Sequence, residues 1–241
     1  VEQQGWMVLG RSFVEFTGRM SFVARVVTWL KPFLAPLFSW SAVLARGTVT
    51  RVPAMVFITL RFLREQLQVH GHWVNATAPW TAPRESFRTD AKCEKGRIVL
   101  AGWCTSAGVE DLKLAKWFCL EVGPEQLPML FKEDGSSQWC STAAELLASY
   151  VAALAFGHLG QKGKATNLRM AITGGTDNKA NQGLQDKNMS TKWPLLAVHM
   201  QVSSELLAGG TRMKLRWRPR EQRSEERRVG KECRSRWSPY H

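Results

Sequence analysis

"ITGGTDNKA", residues 172–180, ends an apolar run on two glycines and a threonine, then places Asp177 where a buried strand opens into the next element. Two readings account for the acid. Asp and Asn side chains accept from free backbone N–H groups at a helix start, so Asp177 or Asn178 is a candidate cap for the short helix that follows. An acid at the mouth of a strand also offers oxygen to a cation, provided that other acids meet it there.

Working outward, the elements on either side supply such acids. "SFRTDAK", "GRIVLAGWC" and "KWFCLEV" are short, β-rich and separated by charged or turn-forming residues, the pattern of an antiparallel meander. "STAAELLASYVAALAFGHL" reads as a helix, with Ser141 and Thr142 as cap candidates and Glu145 following them. "NLRMAITGG" returns to strand, "TKWPLLAVHMQVSSELLAG" to helix with Pro194 in its first turn, and "MKLRWRPR" to strand. The order is mixed α/β with a central five-stranded sheet. If the first and fourth strands lie side by side and the helix crosses them, Asp90, Glu145 and Asp177 reach one place. Three converging carboxylates are unfavourable unless cations hold them, and a pair of Mg²⁺ ions on such oxygens can activate water for phosphodiester cleavage. Taken singly, Glu145 reads as a helix-start residue and Asp90 as a turn acid.

Upstream, residues 1–75 form a helical module. Phe22, Val23, Val26, Val27 and Leu30 recur at helical steps until Pro32 and Pro36, which are expected to break the run. Val56, Leu60, Leu63 and Leu67 then give one apolar helix face. "NATAPWTAPRES" has the composition of a linker, which places a boundary at residues 76–86 before a domain at 87–222.

With 241 residues and 44% hydrophobic content the chain can bury a real core, and its formal net charge of +13 points to a polyanionic partner. The apolar runs "PFLAPLFSWSAVLA" and "LLASYVAALAFGHLGQ" fall short of the roughly 20 residues a membrane span needs, so a membrane is not expected as the partner. Five cysteines without a C-x-x-C pair fit neither a zinc knuckle nor a disulfide framework; a reducing, intracellular location in cytoplasm or nucleus is expected. The start at Val1 reads as an excerpt from a longer protein.

"FRTDAKCEKGRIVLAGW", "TAAELLA" and "ITGGTDNKAN" together resemble the ribonuclease H domain of reverse transcriptases. That family sets an Asp in the first strand, a Glu in the first helix and an Asp at the end of the fourth strand, the places of Asp90, Glu145 and Asp177 here. "GRMSFVARVVTWLKPFLAPLFSW" resembles the thumb or connection segment that precedes the domain in retrotransposon polyproteins. The resemblance spans about residues 5–222. It implies a ribonuclease H-like fold and a metal-dependent endonuclease that cuts RNA in RNA–DNA hybrids, with two Mg²⁺ ions (or Mn²⁺ in their place) on the three acids. It also implies an upstream polymerase region of the same polyprotein as a partner. Lys92, Lys95, Asn178, Lys179 and Arg216 are the candidate nucleic-acid contacts, because a hybrid is gripped through phosphates and 2′-hydroxyls. Trp103, Trp193 and Trp217 have two readings, as stacking surfaces or as core, and the core is the one expected.

Two departures set limits. The paired aspartates of the polymerase are absent, and the fourth acid that the family carries beyond the last strand is not found after "LRWRPRE". Its place is taken by residues 223–241, "RSEERRVGKECRSRWSPYH", which resemble a sequencing-adapter oligonucleotide translated in frame and read as a non-native tail. Without their six basic and three acidic side chains, 27 basic residues face 17 acidic ones, a net +10, so the basic character belongs to the rest of the chain. As written, the chain is expected to be weak or inactive as a nuclease. The alternative is a non-catalytic nucleic-acid-binding domain of the same fold.

Overall fold

The structure is a computed structural model and describes residues 6–70, 84–105, 115–159 and 170–218. Most of the expected linker and all of residues 223–241 lie outside the described residues. In chain order the first elements are β1 (Met7–Leu9), α1 (Gly10–Val26), α2 (Lys31–Ser41), β2 (Val49–Arg51) and α3 (Ala54–His70). There follow β3 (Phe87–Glu94), β4 (Arg97–Cys104), β5 (Trp117–Val122), α4 (Ser141–Ala155), β6 (Met170–Thr176), α5 (Lys179–Lys187), α6 (Leu195–Ala208) and β7 (Thr211–Trp217).

The chain divides into two compact units, one within Val1–Thr81 and Lys187–Leu207, the other within Ala82–Asp186 and Ala208–His241. The segment Lys187–Leu207 was expected inside the α/β domain. It groups with the helical unit because Met189 and Met200 pack on the helical core and Asn188 Nδ2 donates to the Thr28 carbonyl at 3.3 Å.

In the helical unit Phe13, Leu30, Phe33, Leu34, Leu37, Val56 and Leu63 are buried together. Each such side chain contributes about 1.5–3 kcal/mol by leaving water. Pro36 does not break α2, which runs on to Ser41. A proline costs the helix one hydrogen bond, and the burial of Phe33, Leu34, Ala35 and Leu37 around it offsets that loss. Phe22, Val23 and Val26 are exposed, and the buried stripe of α1 runs instead through Gly10, Phe13, Thr17 and Ala24. The short antiparallel pair of β1 with β2 was not expected from the sequence.

The second unit is built on a five-stranded sheet in the order β5-β4-β3-β6-β7. β4 runs antiparallel to both β3 and β5, while β6 runs parallel to both β3 and β7. Side chains alternate across a strand, so Phe87 and Thr89 of β3 are buried and Asp90 and Lys92 are exposed. α4 packs on β3 and β4 through the small side chains Ala144, Ala148 and Ala152, all fully buried. Gly174 of β6 has a packing reason as well, since a Cβ there would overlap the Phe87 ring.

Candidate metal centre

Three elements bring the acids together, and register explains how. β3 and β6 pair with Phe87 opposite Gly174 and Arg88 opposite Gly175, and the same offset sets Asp90 level with Asp177. The helix is fixed by a hydroxyl pair: Ser149 Oγ lies 3.1 Å from Thr89 Oγ1 and donates to the Glu145 carbonyl at 3.0 Å. Glu145 precedes Ser149 by one helical turn and shares its face, so it comes over the strand beside Asp90. One carboxylate oxygen from each of Asp90, Glu145 and Asp177 lies within 4.8 Å of the other two.

Hydrogen bonds bear on the helix-capping readings of these segments. α4 is preceded by Cys140, whose side chain makes no cap bond, and Thr142 Oγ1 accepts from Asn178 Nδ2 at 3.2 Å. Ser141 and Thr142 therefore lie inside the helix instead of capping it. At α5 the cap is Asn178, whose Oδ1 accepts the Ala180 N–H at 2.9 Å. Asp177 does not serve as that cap. Asp90 Oδ1 accepts the N–H of Ala91 at 2.9 Å.

Glu145 is buried, with 8% of its surface exposed, and Thr176 Oγ1 donates to its Oε2 at 2.9 Å. Its pKa is raised to about 8, first by loss of water around the carboxylate, then by hydrogen bonding and charge repulsion from Asp177, with a smaller push from Asp90. The Thr176 hydroxyl works in the opposite direction. At neutral pH this carboxyl holds a proton unless a cation takes its place. The donors are carboxylate oxygens only, which suits a hard divalent ion such as Mg²⁺ or Mn²⁺ and not a thiolate-seeking metal.

The expected nucleic-acid contacts separate. Lys92 shares the Asp90 face of β3 two residues on and pairs with Glu94. Arg216 sits on β7 opposite Gly175, two residues short of Asp177 in register. Lys179 holds its Nζ 5.7 Å from the Trp217 ring centroid. Asn178 has both ends of its amide engaged, one at Ala180 and one at Thr142. Lys95 is in the turn between β3 and β4, roughly 16 Å along the strand from Asp90 at about 3.3 Å per residue, and is not at the rim of the acid cluster.

Sequence reasoning missed Thr176 and Trp217. Thr176 had a signal, since it directly precedes Asp177 and a hydroxyl is the natural donor to a neighbouring acid. Trp217 was expected in the core and is 40% exposed, as Trp193 is also exposed at 51%. The Trp217 indole N–H donates to the carbonyl of Asp177 at 3.1 Å.

No family model and no curated protein matches the chain. Among solved structures, ribonuclease H1 of the halophilic archaeon Halobacterium salinarum is similar over 56% of this chain and 85% of its own, at 14% identity and a TM-score of 0.36. The N-terminal ribonuclease H domain of a Mycobacterium tuberculosis protein, solved as a fusion with maltose-binding protein, is similar over 62% and 96%, at 12% identity and a TM-score of 0.38. The mixed sheet with flanking helices, its first strand beside its fourth, is the arrangement that the sequence reading anticipated. No helix among the described residues is long and apolar enough to cross a membrane.

Proposed function

We propose that this chain carries a divalent-metal nuclease site of the ribonuclease H type, acting on the RNA strand of an RNA–DNA hybrid, within a retrotransposon reverse transcriptase polyprotein. The observation that carries the reading is the meeting of Asp90, Glu145 and Asp177 from three separate elements, with one of the three buried and its pKa pushed to about 8. Folding acids into one place raises their free energy, and a site that binds cations recovers it. Bound divalent ions supply activation of water and charge stabilisation at the leaving oxygen. The chain's own part is to hold the ligands: Thr176 orients Glu145, and Asn178 fixes the exit from β6. Lys92, Lys179 and Arg216 supply positive charge toward phosphates.

The test is cleavage of a labelled RNA–DNA hybrid at several Mg²⁺ concentrations. The chain as written binds the hybrid with a marked salt dependence, because Lys and Arg contacts release counterions, and cleaves it slowly or not at all. Replacing residues 223–241 with a helix that carries an Asp shortly after Arg220 restores Mg²⁺-dependent cleavage of the RNA strand, and Asp177→Asn in that chain abolishes it. A restored chain that stays inert with hybrid binding intact makes this a binding module of the same fold and not an enzyme.

A further inference from the structure

We propose that Trp217 is the positioning residue for Asp177, holding the main-chain carbonyl of that ligand through its indole N–H. This rests on the reading of Asp90, Glu145 and Asp177 as a metal site.

The sheet ladder ends just before the ligand. Thr176 is the last residue of β6, and its carbonyl accepts the Arg218 N–H at 2.9 Å. Past that bond the main chain has to leave the strand, carry Asp177 to the acid cluster and enter α5 at Lys179. Asn178 is pinned on the far side, by its bonds to Ala180 and Thr142. Between the two anchors lies the Asp177 carbonyl, and the Trp217 indole takes it at 3.1 Å.

Burial does not account for a tryptophan in this place. Trp217 stands on β7, the edge strand, and is 40% exposed, so a smaller or polar side chain would be expected there. Lys179 covers one ring face at 5.7 Å. The indole thereby engages the chain at the ligand through its N–H and two residues after it through its ring. A carboxylate on a backbone fixed at both ends loses fewer orientations when a metal binds, and loss of such an outer support typically costs 10–100-fold in metal affinity.

The experiment is a Mn²⁺ titration of the full chain, followed by the electron paramagnetic resonance signal of the free ion, for the unmodified chain, Trp217→Phe and Asp177→Asn. Phenylalanine keeps a ring for Lys179 and removes the N–H. The expected result is Mn²⁺ affinity about 10-fold weaker in Trp217→Phe, with the metal-free melting temperature little changed, and loss of the site in Asp177→Asn. Unchanged affinity in Trp217→Phe beside loss in Asp177→Asn overturns this inference and leaves the metal site standing. Unchanged affinity in both removes the metal site itself, and the inference with it. Should Trp217→Phe disturb the far-ultraviolet circular dichroism of the fold, 3-benzothienylalanine at position 217, which exchanges the N–H for sulfur in the same shape, decides in its place: weakened binding upholds the inference and unweakened binding overturns it.

Discussion

Glu94 and Glu145 are both carboxylates set against β3, and they stand in opposite fields. Glu94 ends the strand beside Lys92 and Arg97, whose hydrogen bonds and charges hold its carboxyl below the usual range. Glu145 leans over the middle of the same strand, buried and beside other acids, and its carboxyl is pushed up to about 8. One end of the strand neutralises itself with its own cations in water, which contributes little to stability. The other gathers three acids, of which Asp90 is exposed and Glu145 buried, and their repulsion together with the burial of Glu145 costs stability. The contrast separates a solvated charge cluster from a site in the absence of any bound ion.

The largest expected effect is on chemistry. In the chain with a restored fourth acid, Glu145→Gln lowers hybrid cleavage by about 100-fold or more, since a lost ligand costs at least what a lost outer support does. Glu94→Gln leaves it within about twofold, as expected of an exposed pair that touches no reacting group. Initial rates on a labelled hybrid separate the two.

The next effect is on stability against pH, without metal. Because the folded Glu145 keeps its proton up to about pH 8 whereas the unfolded one releases it near 4.5, the native state binds more protons across that window. Stability attributable to Glu145 is therefore fully present below about pH 4.5 and is lost as pH rises through 8, by an amount on the order of a few kcal/mol. Urea unfolding at pH 5, 7 and 9 reads this as a falling midpoint. Glu145→Gln flattens the profile over the same range, and added Mg²⁺ restores stability most at the highest pH, where the site is ionised.

The smallest effect is at the strand's other end. The folded Glu94 has its pKa lowered, so its contribution is present above the unfolded value and is lost as pH falls through the folded one. Glu94 is partly exposed and both its partners reach into solvent, so salt screening keeps that loss slight. Glu94→Gln leaves the thermal midpoint at pH 7 nearly unchanged, and 0.5 M salt removes what difference there is. A large shift there breaks the contrast between the two ends.

How much of this was legible before the structure depends on what each feature needs. The order of elements followed from local periodicity, but that order alone left open whether β3 lies beside β6; the resemblance to ribonuclease H implied it, and the structure sets the two strands side by side. Features that depend on which group reaches which hydrogen bond were not legible in the sequence. Whether Asp177 or Asn178 caps α5 turns on side-chain directions at adjacent residues, and both satisfy the same composition rule. Trp217 was expected in the core, yet it stands between Arg216 and Arg218 on an edge strand that leaves it exposed. Lys95 is near Asp90 in sequence but a strand's length away, because extended backbone carries it off. Pro36 remains helical because the core around it offsets the lost bond, a tertiary effect that local propensity does not contain.

The central claim is that the three carboxylates form one divalent-metal site. The most direct measurement is a crystal of the chain soaked in Mn²⁺ at pH 8 and examined by anomalous scattering. A divalent-metal site at the three carboxylates gives a peak about 2 Å from an oxygen of each of Asp90, Glu145 and Asp177, absent in Asp177→Asn crystals grown alike. An empty cluster at saturating Mn²⁺, with all three carboxylates ordered, contradicts it.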